Sequence, residues 1–556
     1  MTYLKSHYDK VKTMVKNIDP VLLLFLIFVL NFRLSFKLIA LVGMYAYRPD
    51  FKFKRDGIFY FYALMILLSW VNFAFVGGDY SYPHLMVVVS GSLIWLACLL
   101  CFHQLRISVE GLQKEKLVKT LEWLTVINFV VSMYDVVKVM LITKTNNPYT
   151  QVSPPPYGIS SGDLIGGVFG GMHLVNTIIC SLLLVFFVYR GSLLFIVLSL
   201  IPFLLTGSNL GTFILGGSLL MIAFLNKGIA YKNYAFFCIA FIVLFYIKIT
   251  PDNQRYMSSV LTKATKQLFG KVEQKKTSHT LIANPDRMIL KPDTVPSGIS
   301  SLNPVKKVLS KEELIIQYIE YRKKVLHLKV DEKQVIVDSS VISRMSALRK
   351  RKEKMAIKLN DYVFFRKDSV ARSKSSLALF EYGQLKKFDL ELESGKITSF
   401  KQTGAYLSGG IWHALFGAGI GSFSSRLAFI TSGIVEDSRL LMALPHYETE
   451  AFKNNHKAIF KYLMYRDDET HSITNLPFCW YNQLLGEYGI LGFLAFIGCY
   501  CFYWLKRFKQ LRYGRYLLIA MLGFFFFDYW YERLSVMVIF EMLMLLDLKL
   551  NKTVES

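Results

Sequence analysis

The chain has 556 residues, of which 53% are hydrophobic and 15% aromatic, and its formal net charge is +25. Its repeated apolar runs of about 17–25 residues are long enough to cross a bilayer, so this composition excludes an ordinary soluble domain. The positive charge fits anionic lipid, a phosphate-bearing substrate or the enrichment of basic residues in cytoplasmic loops, and no nucleic-acid-binding motif accompanies it. We therefore expect membrane lipids as partners, and no nucleic acid.

Apolar segments along the chain predict an all-α polytopic membrane protein with about 12 transmembrane helices. The first two segments, Pro20–Phe32 and Leu34–Tyr47, predict two short helices, because one continuous helix would bury Arg33 and Lys37 in the bilayer. The other predicted spans are 58–76, 83–103, 118–142, 171–189, 192–206, 210–226, 234–250, 481–503, 515–531 and 534–548.

Basic residues between these segments predict the orientation. With a cytoplasmic N-terminus, 22 Lys and Arg residues fall on the cytoplasmic side and 4 fall in short outside loops. The four outside residues are Arg33, Lys37, Lys144 and Arg533. Since cytoplasmic loops carry the excess of basic residues, we expect a multi-pass protein of the cell inner membrane with both termini in the cytoplasm.

This topology divides the chain into three parts: 1–250 with spans one to nine, an extracytoplasmic loop over 251–479, and 480–556 with spans ten to twelve. The loop is too long to be a simple connector. Within it, the sequence predicts a basic helical insertion over residues 255–375, with one helix opening at the capping box Ser310–Glu313 and a second, strongly basic helix over 341–360. Residues 394–426 predict an amphipathic helix, over 394–413, that runs into a Gly-rich turn.

The Gly-rich turn lies in the stretch IWHALFGAGIGSFSSR, residues 411–426, with glycines at Gly417, Gly419 and Gly421. Glycines let a backbone pass close to another group or bend tightly at a bilayer edge. No strand precedes them in a βαβ context, so the turn does not indicate dinucleotide binding. Lys396 and Arg426 flank it and are able to neutralise a phosphate group.

Acid–base candidates cluster near the C-terminal end of the loop: Asp467, Asp468, Glu469, His471 and Glu487. Near neutral pH, His471 can accept a proton from an attacking hydroxyl, and His446 and His456 are its rivals. The acidic run with His471 could also hold a cation, but no fixed ligand spacing supports a metal site. Polar residues inside spans, such as Asn176 and Glu487, are functional candidates, with helix-to-helix hydrogen bonding as the alternative.

Several features together resemble the O-antigen ligase and O-antigen polymerase superfamily of bacterial envelopes. They are the twelve-span layout, the large loop between spans nine and ten, LFGAGIGSF (415–423), YNQLLGEYGILGF (481–493) and LLTGSNLGTF (204–213). The resemblance extends to Ser394-Gly395-Lys396 and to Asn176, but not to residues 255–375.

This resemblance implies a metal-independent, inverting glycosyltransferase of the GT-C type without a cofactor. Such an enzyme moves a glycan from undecaprenyl diphosphate to a hydroxyl of a lipid or glycan acceptor. The alternative from the residues alone is a multi-span transporter or a flippase for lipid-linked glycans. Transporters usually carry internal repeats, which this chain does not show.

The resemblance also implies site residues. Lys396 and Asn209 stand where the family commonly has arginine, and Phe478 stands where its motif has histidine, which leaves His471 as the nearest substitute. We therefore expect His471 and Lys396 to be catalytic. The expected substrate-binding residues are Arg426, Glu487, Gly417, Gly419, Gly421, Asn209 and Asn176.

Overall fold

The structure is a computed structural model that describes residues 17–31, 34–76, 79–143, 161–170, 173–226, 228–248, 395–434, 444–465 and 476–551. All of these residues belong to one compact unit. Within these ranges the regular structure is helical and no strand is present. The predicted all-α fold class is confirmed at this level, while the insertion 255–375, with its predicted helices, lies outside the described residues.

Nine helices precede the large loop in the described ranges. They are α1 (Pro20–Leu30), α2 (Leu34–Tyr47), α3 (Gly57–Val71), α4 (Tyr82–Gly111), α5 (Lys114–Thr143), α6 (His173–Arg190), α7 (Leu193–Leu205), α8 (Asn209–Leu225) and α9 (Ile229–Lys248). A π-helical turn, Asn72–Val76, extends α3, and two 3-10 turns, Ser161–Leu164 and Gly167–Phe169, lie between α5 and α6.

Nine further helices follow in the described ranges. They are α10 (Gly395–Leu407), α11 (Ile411–Phe416), α12 (Arg426–Thr431), α13 (Glu450–Asn454), α14 (His456–Tyr465), α15 (Trp480–Ala495), α16 (Phe502–Leu505), α17 (Gly514–Phe524) and α18 (Leu534–Asn551). The π-helical turn Phe496–Cys501 joins α15 to α16, and the 3-10 turn Phe508–Gln510 precedes α17.

Side-chain caps fix where several of these helices begin. Asp19 accepts a hydrogen bond from the N–H of Leu22 at 2.7 Å at the start of α1, directly before Pro20 at the first helical position. Ser208 caps α8 in the same way through the N–H of Gly211 at 3.2 Å. These caps satisfy amide groups that have no partner inside the helix, so the apolar runs start where a capping side chain is available.

Six helical stretches of the described chain are long and apolar enough to cross a membrane: Gly57–Phe75, Tyr82–Gly111, Lys114–Leu141, His173–Arg190, Ile229–Tyr246 and Trp480–Leu505. Large apolar side chains such as Phe75, Phe213 and Leu141 are exposed on the outside of the bundle. A soluble protein does not expose so much apolar surface. The chain is thus an all-α membrane protein.

The other predicted spans coincide with helices α1, α2, α7, α8, α17 and α18, and the span at α17 ends earlier than predicted. The predicted span 515–531 stops at Phe524, where α17 ends. The residues that follow turn back: Trp530 Nε1 donates to Phe524 O at 2.7 Å, and Arg533 pairs with Asp528 at 3.1 Å. The aromatic residues of this segment extend the apolar pattern without extending the helix.

The two ends of α4 mark two ends of the bundle, since its 30 residues rise about 45 Å. Near its N-terminal end, Val87 packs against Gly421 of the Gly-rich turn, where an added Cβ would lie 2.4 Å from the Val87 side chain. At its C-terminal end, Lys549 Nζ donates to Glu110 O at 3.1 Å. The Gly-rich turn therefore lies at the end of α4 opposite to the C-terminus of α18.

Candidate functional site at an interrupted helix

Helix α15 is interrupted at Gly489, whose backbone has φ 63° and ψ −162°. The carbonyls of Gly486 and Glu487, just before the break, accept hydrogen bonds from Ala418 N at 2.8 Å and Gly419 N at 3.0 Å. Broken helices at membrane depth are stable only where other groups satisfy the freed carbonyls. The Gly-rich turn supplies those groups, so turn and helix break form one unit.

The glycines of this unit are required by close backbone packing. A Cβ on Gly417, which has φ 70°, would lie 2.6 Å from the carbonyl carbon of Glu487, and a Cβ on Gly489 would lie 2.4 Å from Leu415 O. Asn72 supports the same contact, because its Nδ2 donates to the carbonyl of Gly417 at 3.1 Å. Side chains at these positions would separate the turn from α15.

The three predicted glycines therefore face protein atoms in this structure. A Cβ on Gly419 would lie 2.5 Å from the side chain of Asn72, and one on Gly421 would lie 2.4 Å from the side chain of Val87. Their role in shaping the turn follows from this packing. Direct contact between these glycines and a substrate stays a prediction.

Glu487 binds the Gly-rich turn with its side chain as well as its backbone. The side chain is fully buried, and Oε1 accepts hydrogen bonds from Phe423 N at 3.3 Å and Ser424 N at 3.1 Å. Consecutive backbone N–H groups of this kind form a nest that favours an anion. The carboxylate of Glu487 occupies the nest, so this predicted site residue holds the turn that carries Arg426.

The turn ends in α12, with Arg426 at the first helical position. Ser425 caps this helix by accepting from Ala428 N at 3.0 Å. Glu532 Oε2 accepts from Leu427 N at 3.0 Å, and its Oε1 accepts from Gln483 Nε2. The side chains of Arg426 and Glu532 are half-buried, at the edge of the site.

Burial raises the pKa of Glu532 to about 8, and the nearby carboxylate of Glu487 raises it further, while the positive charge of Arg426 opposes this shift. Desolvation and a second carboxylate both disfavour the ionised form. Glu532 therefore exchanges its proton near neutral pH, unlike an ordinary glutamate.

His456, at the start of α14, ties the turn to α10. Its Nε2 lies 3.1 Å from the carbonyl of Ser399 and therefore donates, which leaves Nδ1 to accept from Ser424 Oγ at 2.6 Å. Asn482 on α15 joins the same network, since its Nδ2 donates to Ser399 Oγ at 2.8 Å. Burial lowers the pKa of His456 to about 4, so the imidazole is neutral at pH 7.

Helix α10 presents a polar face to this network and an apolar residue to the outside. Ser399, Gln402 and Thr403 are buried, whereas Ile397 is exposed. Over the described part of the predicted helix 394–413, the structure has two helices, α10 and α11, separated by residues 408–410, and the polar face of α10 is turned inward. This orientation places hydroxyl and amide groups beside the Gly-rich turn.

Lys396 is buried at the N-terminal end of α10. Its Nζ donates to Leu476 O at 3.0 Å and Phe478 O at 2.5 Å, and it lies 5.4 Å from the centroid of the Phe527 ring. Burial lowers the pKa of Lys396 to about 8. Lys396 thus joins α10 to the segment before α15, and its predicted catalytic role stays a prediction.

Asn176 lies in a second polar cluster, between α5 and α6. It accepts from Asn128 Nδ2 at 2.9 Å and donates to Ser132 Oγ at 3.2 Å and Ile165 O at 3.1 Å. These bonds connect helices to each other and to the segment between them. They correspond to the structural role that the sequence leaves open for Asn176 beside substrate binding. Asn209 begins α8 directly after the capping Ser208. The structure does not bring either asparagine to the Gly-rich turn within the described ranges, and their substrate binding stays a prediction.

His471 and the acidic run Asp467–Glu469 lie outside the described residues. The sequence indicates His456 only as a rival of His471, and it assigns no role to Glu532. A signal for Glu532 is present, because it precedes Arg533 in a short polar interval between two apolar segments. In the part of the chain that the structure describes, no group of three or more His, Cys, Asp or Glu side chains is placed to hold a metal ion.

No protein-family model, curated protein or solved structure matches this chain.

Proposed function

We propose that this protein is an inverting GT-C-type glycosyltransferase that moves a glycan from undecaprenyl diphosphate to an acceptor hydroxyl, as an O-antigen ligase or polymerase does. The observation that carries the proposal is the placement of Arg426 and Glu532, both half-buried, beside a turn that is fixed in the break of α15. A diphosphate leaving group requires positive charge where negative charge develops, and arginine binds phosphate oxygens in a bidentate manner.

The topology is part of the proposal. Twelve spans cross the inner membrane, both termini are cytoplasmic, and the loop between spans nine and ten faces outward. The excess of basic residues on the assigned cytoplasmic side supports this orientation. In this arrangement, the Gly-rich turn and Arg426 lie at the outer face, where a lipid-linked donor and a lipid or glycan acceptor meet.

Deletion of the gene, followed by electrophoresis of the surface glycan, tests this function. Loss of all glycan-capped lipid indicates a ligase, and retention of single repeat units indicates a polymerase. A plasmid copy of the wild-type gene is the control and restores the pattern. An unchanged glycan pattern in the deletion strain contradicts the proposal.

A transporter or flippase for lipid-linked glycans is the second candidate, because interrupted helices also form the binding sites of transporters. The two functions differ in covalent chemistry. Proteoliposomes that hold the protein and a labelled lipid-linked glycan distinguish them. A transferase forms a new covalent product, a ligase after its acceptor is added and a polymerase from the lipid-linked glycan itself, whereas a transporter moves the intact donor across the bilayer.

A further inference from the structure

We propose that Glu532 is the general base of the transfer, the group that takes the proton of the acceptor hydroxyl. This inference rests on the proposed function and adds a catalytic residue to it. The resemblance assigns no role to Glu532, and the base that the sequence indicates is His471. We draw this inference from the position of Glu532, from its accessibility and from the charges of the groups that surround it.

The position of Glu532 is fixed by two neighbours that leave its oxygens with further capacity. Oε2 accepts one hydrogen bond from Leu427 N at 3.0 Å, and Oε1 accepts one from Gln483 Nε2. A carboxylate oxygen can accept two hydrogen bonds, so each oxygen keeps one lone pair for a substrate hydroxyl. Leu427 directly follows Arg426, which brings this carboxyl next to the proposed diphosphate-binding residue.

Accessibility distinguishes Glu532 from the other acid–base groups of the site. Glu487 and His456 are both fully buried. Oε1 of Glu487 accepts hydrogen bonds from the N–H groups of the turn, and both ring nitrogens of His456 are engaged by Ser399 and Ser424. Glu532 is only partly buried, so it is the most accessible of these three groups.

The charged and titratable groups around Glu532 come from several elements. They are Glu487 and Tyr488 on α15, Arg426 on α12, Cys98 on α4, and Asp528, Tyr529 and Arg533 on its own loop, with Lys37 of α2 beside Arg426 and Arg533. The carboxylate of Glu487 raises the pKa of Glu532, and the positive charge of Arg426 opposes this rise. The result is a stronger base than a solvent-exposed carboxylate.

The chemical step balances within the site. The acceptor O–H bond breaks, and its proton moves to a carboxylate oxygen of Glu532. The acceptor oxygen forms the new bond to the anomeric carbon of the donor sugar. The bond from that carbon to the diphosphate oxygen breaks, and its electron pair leaves with the lipid diphosphate, whose charge Arg426 stabilises. No oxidant, reductant or further reactant is needed.

The transfer rate depends on the ionisation of Glu532 and therefore on pH. Because the pKa of Glu532 is raised to about 8, the ionised form that acts as base grows as pH rises toward 8. Below that value, the transfer rate falls about tenfold for each pH unit. An unperturbed glutamate would place this decline near pH 4.

The experiment compares wild type, Glu532→Gln and Glu532→Asp with the matched control Glu450→Gln, which neutralises an exposed glutamate of α13. Transfer from a labelled lipid-linked donor is measured in membranes of equal protein content between pH 5.5 and 9. We expect Glu532→Gln to lower transfer by about 10²–10⁴-fold and to remove the decline at acidic pH. Glu532→Asp should keep part of the activity with a displaced decline, and Glu450→Gln should match wild type.

The outcomes separate this inference from the proposed function. If wild type transfers glycan and Glu532→Gln keeps its rate and its acidic decline, Glu532 is not the base and the transferase function stands. Loss of activity in His471→Ala together with full activity in Glu532→Gln returns the role to His471. If wild type forms no product with any lipid-linked donor, the proposed function itself fails.

Discussion

Single residues at the site serve either the chemistry or the shape of the Gly-rich turn, and their burial tells the two apart. Glu487, His456 and Lys396 are buried and directed at backbone or side-chain partners. Arg426 and Glu532 stand at the half-buried edge. The sequence predicts a site in this region, because charged groups flank a Gly-rich turn in an apolar chain. The burial of each side chain depends on helices that lie far apart in the sequence. The sequence therefore could not predict which of these residues shape the turn and which are available for chemistry.

Arg426 gives the first prediction. We expect Arg426→Ala to weaken the use of a lipid diphosphate donor more than Arg426→Lys, because lysine keeps the charge and loses only the bidentate geometry. Loss of a charge–phosphate contact should raise the transfer barrier by about 2–4 kcal/mol. Rates at limiting donor concentration measure this effect in membranes of equal protein content. Wild-type rates in Arg426→Ala would remove Arg426 from the site.

His456 gives a prediction about pH and stability. Its pKa is about 4 in the folded protein, against about 6.5 for an unfolded chain, so the unfolded state binds more protons between these values. Its contribution to stability is therefore complete above pH 6.5 and decreases as pH falls toward 4. Between pH 7 and pH 5, we expect wild type to lose about 2 kcal/mol through this residue.

The measurement is the thermal unfolding of the protein in detergent at several pH values, with His456→Gln as the variant that cannot titrate. The difference between the two proteins isolates the effect of His456, because acids with a raised pKa, such as Glu532, act in the opposite direction. Exposed His446 supplies the control, since His446→Gln should keep the pH dependence of wild type. Parallel pH profiles of wild type and His456→Gln would contradict the prediction.

Helices were the most predictable elements, since the length of an apolar run is a local property. Each of the twelve predicted segments overlaps a helix of the structure. The interruption of α15 was not predictable, because Gly489 breaks the helix only where the Gly-rich turn can satisfy its carbonyls. A glycine within an apolar run gives the same local signal whether or not such a partner exists. The inward polar face of α10 likewise depends on partners distant in sequence.

The close packing of the Gly-rich turn against α15 gives a prediction about stability. Gly417→Ala should destabilise the fold, because the new Cβ would lie 2.6 Å from backbone of α15 at a φ of 70°. Gly404→Ala is the matched control: an added Cβ at this position of α10 would have no neighbouring atom within 4 Å, and it should stabilise the helix by about 0.5–1 kcal/mol. Thermal unfolding in detergent measures both. Equal midpoints for the two variants would show that α15 does not hold the turn closely.

For the whole molecule, the two ends of the bundle have different chemistry. At one end, basic side chains bind groups at the ends of helices. Lys549 donates a hydrogen bond to the backbone carbonyl of Glu110, and Arg48 forms an ion pair with Asp19 at 3.3 Å. The opposite end carries the Gly-rich turn, Arg426 and Glu532. We propose that the end with the Gly-rich turn faces away from the cytoplasm, as the count of basic residues in the sequence predicts.

Sidedness gives the last prediction. Cysteine introduced at Lys401, on the exposed face of α10, should react with a membrane-impermeant maleimide in cells whose inner membrane is intact, whereas cysteine at Lys509 should react only after the membrane is opened. Among the native cysteines, six are buried and Cys499 is partly exposed, so the wild-type chain supplies the background. Both variants must accumulate and transfer glycan like wild type. Labelling of Lys509→Cys in intact cells, with Lys401→Cys protected, would invert the topology and place the Gly-rich turn in the cytoplasm, where an outward-facing transferase cannot act.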